Sequence, residues 1–485
     1  MKTISSIWSA MTGAERVVAF AAAFAMSSCV AFAAIAFATE PGDVSNPDVT
    51  FDAERSPGQK SSDTAKPPPD RTVDWTRFGY DPGRSKFLDA QRLRPPFDKV
   101  WKYKGDELIE FPPIVVDDRV YFIDNDGVYT ALDAKTGKVI WEERLTSLNA
   151  SSPAYYEGVL YSVSLEPGQA LAVRARDGKV LWRRELGARA ESSPMVVRDR
   201  MYFGDEAGGF YALDTEDGDL IWEASVEGSV KAAPALSEGV LYVGDYGGFM
   251  NAIRASDGEI VWQTADLGVG RIYSTAAVAF GRVYAGNVDD KVYSFDQENG
   301  EIAWTHSAGG YVYSGVAAAD TGSTKPAVYV GSHDRNVYAL DAESGDVIWQ
   351  TGAGGQISGP ATVIGDVVYV STFSGNATIG LDLGTGRRVF SYDDGEYGPV
   401  VSDAETLYLT GGSTVTAFDP VDVGGFDYEP QKGQKGIVPP AELRAARKAM
   451  RGGGGQGSGG ADSSGGDEKG NGRAGSGARR DPKGP

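Results

Sequence analysis

Between residues 97 and 420 the chain is a succession of short runs in which apolar and polar residues alternate, such as Tyr129-Thr130-Ala131-Leu132, broken by glycine, aspartate and proline. Alternation over four to eight residues predicts half-buried strands, because successive side chains of a strand point to opposite faces. The runs come in a fixed order. A first begins near a proline, as at Pro153, Pro194, Pro234 and Pro360. A second carries an aliphatic–tyrosine pair, with tyrosines at 121, 161, 202, 242, 284, 329, 369 and 408. A third ends in an aspartate or arginine, and a fourth ends on a large aromatic residue.

Those last aromatics are Trp101, Trp141, Trp182, Trp222, Trp262, Trp304, Trp349 and Phe390, spaced by 40, 41, 40, 40, 42, 45 and 41 residues. Units of about 40 residues with four short strands have the size of a propeller blade. Between the third and fourth strands lies a turn, clearest in Ala131-Leu-Asp-Ala-Lys-Thr-Gly-Lys-Val-Ile-Trp141. Its aspartate can accept amide hydrogen bonds from the turn. Glycines at the equivalent place, Gly137, Gly178, Gly218, Gly258, Gly300, Gly345 and Gly386, supply a positive φ. The aromatic that follows is placed to pack between neighbouring sheets.

Counting strands predicts closure. There are eight tyrosine strands and eight third strands, the last ending Val415-Thr-Ala-Phe418-Asp419, but only seven fourth strands downstream of them. The missing one is supplied by Lys99-Val100-Trp101, which precedes the first blade. The expectation is an all-β, eight-bladed β-propeller of four-stranded antiparallel blades over residues 73–425, its N-terminal strand completing the last blade and hiding the open edges.

Composition adds little to this and removes much. Sixty-four glycines suit tight turns rather than helices. The net charge is −21, and residues 431–485 carry a local +6, so the remainder stands at −27 and excludes nucleic acid as a partner. The one cysteine, Cys29, lies outside the strand region, which leaves no thiol nucleophile, cysteine zinc site or internal disulfide there. His306 and His333 are the only histidines. His333, beside Asp334, reads as a turn residue.

Val17–Ala38 is an uncharged, mostly apolar run of 22 residues, long enough to span a membrane, with Lys2 and Arg16 before it and Glu40, Asp43, Asp48 and Asp52 after it. It is expected to anchor the chain in the cell membrane, residues 1–16 being cytoplasmic and the propeller extracytoplasmic. Cleavage after Ala36-Phe37-Ala38 and lipidation at Cys29 are the alternatives. Residues 39–72 read as a solvated spacer, 426–451 as a linker with a short basic helix, and 452–485 as a disordered Gly-rich tail.

The Ala-x-Asp-x-x-Thr-Gly-x-x-x-Trp motif resembles the repeat of the pyrroloquinoline-quinone (PQQ) family, and Asp74-Trp75-Thr-Arg-Phe78-Gly79-Tyr-Asp81-Pro-Gly-Arg84 is similar to the lead-in of such proteins. One branch of that family holds PQQ- and calcium-dependent alcohol and glucose dehydrogenases. The other holds non-catalytic propellers, among them the propeller lipoprotein of the outer-membrane β-barrel assembly machine. The adjacent cysteines and Glu-Asn-Asp calcium set of the alcohol dehydrogenases cannot be placed here. The resemblance therefore implies a non-catalytic scaffold for envelope proteins or ligands without cofactor or metal; PQQ and calcium belong to the alternative, a quinoprotein oxidoreductase.

Any ligand site is expected at the central channel. The residue three before each innermost-strand proline, or its aligned equivalent, gives one position per blade: Glu110, Ala150, Glu191, Lys231, Tyr273, Tyr313, Ile357 and Glu396. Neighbouring Glu396 and Glu110 offer oxygen ligands to calcium. Tyr273 and Tyr313, with Arg271 nearby, offer an aromatic wall. Solvated loop residues, with Glu191 and Lys231 as a weak pair, are the plainer expectation.

Overall fold

In every unit the third strand pairs antiparallel with the fourth up to the residue facing the aromatic, and there the register slips. In the first unit Ala131 faces Trp141 but Leu132 faces Val139, so Ile140 bulges outward. The same slip recurs before the ladder residue in the other seven sheets. A bulge adds twist and spoils an outer edge as a template for further pairing, which explains why Ile140, Leu181, Ile221 and Val261 stand exposed on the circumference without forming a continuous strand edge.

The computed structural model describes residues 73–265, 267, 270–398, 400–422, 434–439, 441–445 and 448. They build eight antiparallel four-stranded blades, the first seven running in sequence order from the inside outward. The first is Ile114–Val116, Arg119–Ile123, Val128–Asp133 and Val139–Arg144. The eighth consists of Val401–Ser402, Leu407–Gly411 and Thr414–Pro420, completed by Phe97–Lys104 from the start of the chain. Trp101 faces Ala417 in that pairing, as the strand count requires. The innermost strand of the eighth blade lies beside that of the first, which closes the ring. The segment expected to cross a membrane lies outside the described residues. Among the described residues no helix is long and apolar enough to do so.

The repeated motif turns out to be a joint between blades. Each tryptophan donates its indole N–H to a carbonyl in the turn of the next blade, from Trp101 to Ala134 O (2.8 Å) through Trp222 to Ala255 O (3.0 Å) to Trp349 to Leu383 O (2.9 Å). The turn aspartate holds that turn in shape, Asp133 accepting from the Thr136 amide and hydroxyl at 2.8 and 2.7 Å. The motif glycines have φ between +65° and +79°. At Gly258 a Cβ would also stand 2.7 Å from Cε3 of Trp222. Gly258→Ala should therefore cost about 1–3 kcal/mol, from left-handed strain and the displaced ring together, read as a lower denaturant midpoint; no change would mean that the ring moves freely aside.

Phe390 departs from this scheme. The next blade offers no such turn, and a phenyl ring has no N–H. It is fully buried instead, packed on Phe97, Phe418 and Tyr369 at 5.7–5.9 Å between centroids. Residues 434–438 cover this seam: Lys435 bridges to Ser391 of the seventh blade and Ile437 to Phe97 of the eighth. Residues 441–445 are helical, and Leu443 is buried.

The lead-in, residues 73–88, is threaded across the ring. Its backbone bonds to innermost-strand residues of one blade after another: Asp403, Val115, Tyr155, Leu236, Val278, Ala318 and Val363. Phe87–Leu88 then adds as a parallel strand to Thr362–Ile364. Innermost strands have one unpaired edge each, and this segment satisfies it. It passes the third blade without a backbone bond. There the guanidinium of Arg84 reaches Ser193 O and Pro194 O at 3.1 Å, and also Pro234 O at 2.9 Å and Phe78 O. Lys86 donates to Arg84 O and Val316 O at 2.9 Å and to Thr275 O at 3.4 Å. Both side chains are fully buried. The channel is therefore closed by two basic side chains held on carbonyl oxygens, Lys86 being pushed down to about 7 by burial and by the Arg84 charge.

Candidate functional site

Above this floor the channel opens as a funnel of about 220 Å³. Phe78 of the lead-in lines it, together with Glu110, Phe111, Lys231, Tyr273, Tyr313, Ser358 and Tyr397. Glu110, Lys231, Tyr273 and Tyr313 thus stand where the one-per-blade reading placed them. In the seventh and eighth blades the lining residues are Ser358 and Tyr397, not Ile357 and Glu396. The innermost strands there begin at Thr362 and Val401. Counted four back from the strand start, as Glu110 is from Ile114, the positions are 358 and 397; Pro360 and Pro399 each stand two residues before the strand, where Pro113, Pro153, Pro194 and Pro234 stand one before it. Ile357 is fully buried, packed over Gly331. The Glu396 carboxylate lies near Gly412, and it and Glu110 both raise the Tyr397 phenol, after burial.

A second ring of residues, unremarked in the sequence, meets the first. It lies four positions after each signature tyrosine, in the loop leaving the second strand: Asn125, Leu165, Glu206, Tyr246, Val288, His333, Phe373 and Gly412. Asp245, two residues after Val243, shows how that loop is fixed, its carboxylate accepting from the amides of Gly247 and Phe249 at 2.8 and 3.2 Å. The next residue then projects to the funnel rim, its amide bonded to the loop that carries the first ring, as Tyr246 N to Ser229 O and His333 N to Tyr311 O. The spacing of four from tyrosine is constant, so this ring was readable once the blades were aligned.

Members of the two rings touch at several places, mostly from one blade to the next. Asn125 donates to Glu110 at 3.4 Å. Lys231 is clamped by Glu191 (2.9 Å) and Glu206 (2.6 Å), neither of the three being freely exposed. This is no solvated surface pair: Glu191 is 7% exposed. Burial opposes the Lys231 charge, but the hydrogen bonds from Glu206 and Glu191 prevail and hold the ammonium above its ordinary value. Burial lifts Glu191 and Glu110 above the usual carboxylate range, against the pull of Lys231 on both and of Asn125 on Glu110.

Beyond Lys231 the rim becomes aromatic. Tyr246 touches Tyr273 (6.1 Å), Tyr273 meets Tyr313 edge-on (5.6 Å), Tyr313 meets His333 (5.1 Å), His333 meets Phe373 (5.5 Å), and Phe373 stacks on Tyr397 (5.8 Å). Lys231 Nζ and the Arg271 guanidinium lie over the Tyr246 ring at 5.6 and 5.4 Å. His333 is not merely a turn residue, since its Nε2 pairs with Ser358 Oγ at 2.9 Å; Asp334 holds the turn, accepting from the Asn336 and Gly309 amides. Burial lowers the His333 imidazole and raises the Tyr273 phenol, the latter helped by the charges of Glu191 and Glu110.

The fold and its motif place the chain among known repeats. The PQQ_2 family, described as outer membrane protein assembly factor BamB, matches at residues 98–197, 166–310 and 288–435. The chain belongs to this family. Its matched residues begin after the lead-in that closes the channel. No curated protein matches the chain. Among solved structures it is similar to BamB from Moraxella catarrhalis, with 17% identity over 67% of this chain and 99% of that one and a TM-score of 0.55. It is also similar to the quinohemoprotein alcohol dehydrogenase of Comamonas testosteroni, with 15% identity over 75% and 82% and a TM-score of 0.60. The computationally designed Ika8 protein gives 14% identity over 66% and 99% and a TM-score of 0.59. At such identities the likeness is one of fold, and function has to be argued from the site.

Proposed function

We propose that this chain is a non-catalytic propeller, tethered to the cell membrane through residues 17–38 and displayed outside the cytoplasm, which binds protein or envelope ligands at its funnel. The observation that carries this reading is how the funnel's ionisable groups are used. Lys231 is spent on two glutamates, and Arg84 and Lys86 on carbonyls beneath the floor. What remains toward solvent is an aromatic rim with Arg271 lying over Tyr246 and one lining carboxylate, suited to recognition rather than to proton or electron transfer.

The quinoprotein reading asks this funnel to hold PQQ, a tricarboxylate, beside a calcium ion. The residues do not fit the pair. No lining cation has its charge unmatched to meet three carboxylates, and Glu110 is the one carboxylate in the lining. Among the described residues no group of three or more His, Cys, Asp or Glu comes together for a metal.

A photo-crosslinker placed at Tyr313 of the full chain in its native membrane should capture a discrete partner, while one at the circumferential residue Ile221 should not. Equal, diffuse labelling at both positions would refute a funnel-face scaffold. So would steady dye reduction by the purified chain with PQQ, calcium and an alcohol or aldose.

A further inference from the structure

The funnel's polar groups are arranged so unevenly that they define the charge of the guest. The one cation in the lining is taken, Lys231 by Glu191 and Glu206, while Ser358 pairs with His333 and Asn125 with Glu110; the lining's other donors are the neutral phenols of Tyr273, Tyr313 and Tyr397. Thr275 Oγ1 is bound to the Ala233 amide. An anion finds no unmatched positive charge in the lining. The acceptor side is the reverse. Glu110 is half-buried in the lining with one long hydrogen bond of 3.4 Å, and its partial burial makes its charge costly against only the distant pull of Lys231. Glu191 and Glu206 are matched by Lys231 and, at 3.9 Å from Glu206, by Arg189, which leaves Glu110 as the carboxylate without an ion pair among the described residues.

The walls point the same way. The electron-rich faces of aromatic rings attract cations, most strongly where water is excluded. This rim already uses that attraction, since both Lys231 and Arg271 lie over the face of Tyr246. The same belt continues through Tyr273 and Tyr313 to Tyr397, all lining the cavity and with no cation over their faces among the described residues. A volume of about 220 Å³ admits one guanidinium-bearing side chain or one quaternary ammonium group.

We propose that the funnel is an organic-cation site, in which Glu110 supplies the counter-charge and Tyr273, Tyr313 and Tyr397 the aromatic box. This deepens the scaffold reading and rests on it. The cation is either a basic side chain presented by a partner or a small quaternary ammonium compound, and the two differ in shape more than in chemistry.

Calorimetric titration of the full chain in detergent tests this with matched pairs of probes. N-acetyl-arginine amide is compared with its neutral isostere N-acetyl-citrulline amide, and choline with neutral 3,3-dimethylbutanol. One cationic member should bind saturably and at least about tenfold more tightly than its neutral partner. Which pair shows the preference identifies a peptide side chain or a small molecule. Glu110→Gln, which keeps the shape, and Tyr313→Leu, which removes only the ring face, should each weaken that binding by about five- to tenfold, while Glu216→Gln on an outer turn should not. Equal affinity for charged and neutral members, or binding indifferent to Glu110→Gln, overturns the proposal. Crosslinking from Tyr313 that persists under that outcome leaves the scaffold standing and removes only the cation.

Discussion

Arg84→Ala should lower the unfolding free energy of the propeller by about 3–5 kcal/mol. The guanidinium ties together Phe78, Ser193, Pro194 and Pro234 through four carbonyl oxygens, from a side chain with no exposed surface. Orphaning a buried acceptor costs about 1–3 kcal/mol. Against four such losses stands the several kcal/mol that burying the cation costs in the first place. Burial and repulsion from Arg77 push that guanidinium down to about 9, so it remains charged at neutral pH and the offset is real. Arg84→Lys should recover only part of the loss, because an ammonium cannot spread its donors over four oxygens as the planar fork does. Denaturant midpoints at constant slope measure the effect. A loss within about 0.5 kcal/mol would show that the lead-in is held by its backbone bonds alone. The same variant should loosen the floor of the funnel, since Phe78 is both an acceptor for Arg84 and part of the lining.

The sequence announced neither Arg84 nor Lys86. In Asp81-Pro-Gly-Arg-Ser-Lys86 they sit among turn residues, where charged side chains are ordinarily solvated. Their burial depends on the ring being complete, because their acceptors come from the third to the sixth blades, 109 to 230 residues away. The ring itself was legible for the opposite reason. Blade motifs are local, the same turn is written seven times, and a missing outer strand can be found by counting, as Trp101 facing Ala417 shows. The funnel was half legible. The first-ring positions follow from the start of each innermost strand and went astray by one residue only in the last two blades, where Pro360 and Pro399 stand two residues before the strand instead of one. The second ring was missed because its members share a place and not a residue type: Asn125, Glu206, Tyr246, His333 and Phe373 have nothing in common except their distance from a tyrosine. Repeats written for packing keep their residue types, while positions facing the channel are free to differ from blade to blade.

Trp222→Ala tests whether the ladder is the main mechanical joint, and about 3–5 kcal/mol is the expected loss. The ring is 8% exposed, stacked on Phe210 at 6.1 Å and tilted against Tyr202 at 5.9 Å, with the next blade's Gly258 turn beneath it. Its hydrogen bond contributes little to that figure. Ala255 O, which accepts the indole N–H at 3.0 Å, also accepts from Tyr202 at 3.1 Å and Arg200 at 3.2 Å, so no acceptor is orphaned when the indole goes. Trp222→Phe should therefore cost much less, below about 1.5 kcal/mol, because it keeps most of the packed ring. The chain makes that replacement itself at Phe390, though there extra residues cover the seam. The decisive measurement is the pair. Gly258→Ala forces a Cβ into the tryptophan ring, so in a Trp222→Ala background only its left-handed strain should remain. The two changes should then couple by about 1–2 kcal/mol in the double-mutant cycle. Strict additivity would mean that the glycine serves its own turn alone, and that the joint between blades lies elsewhere.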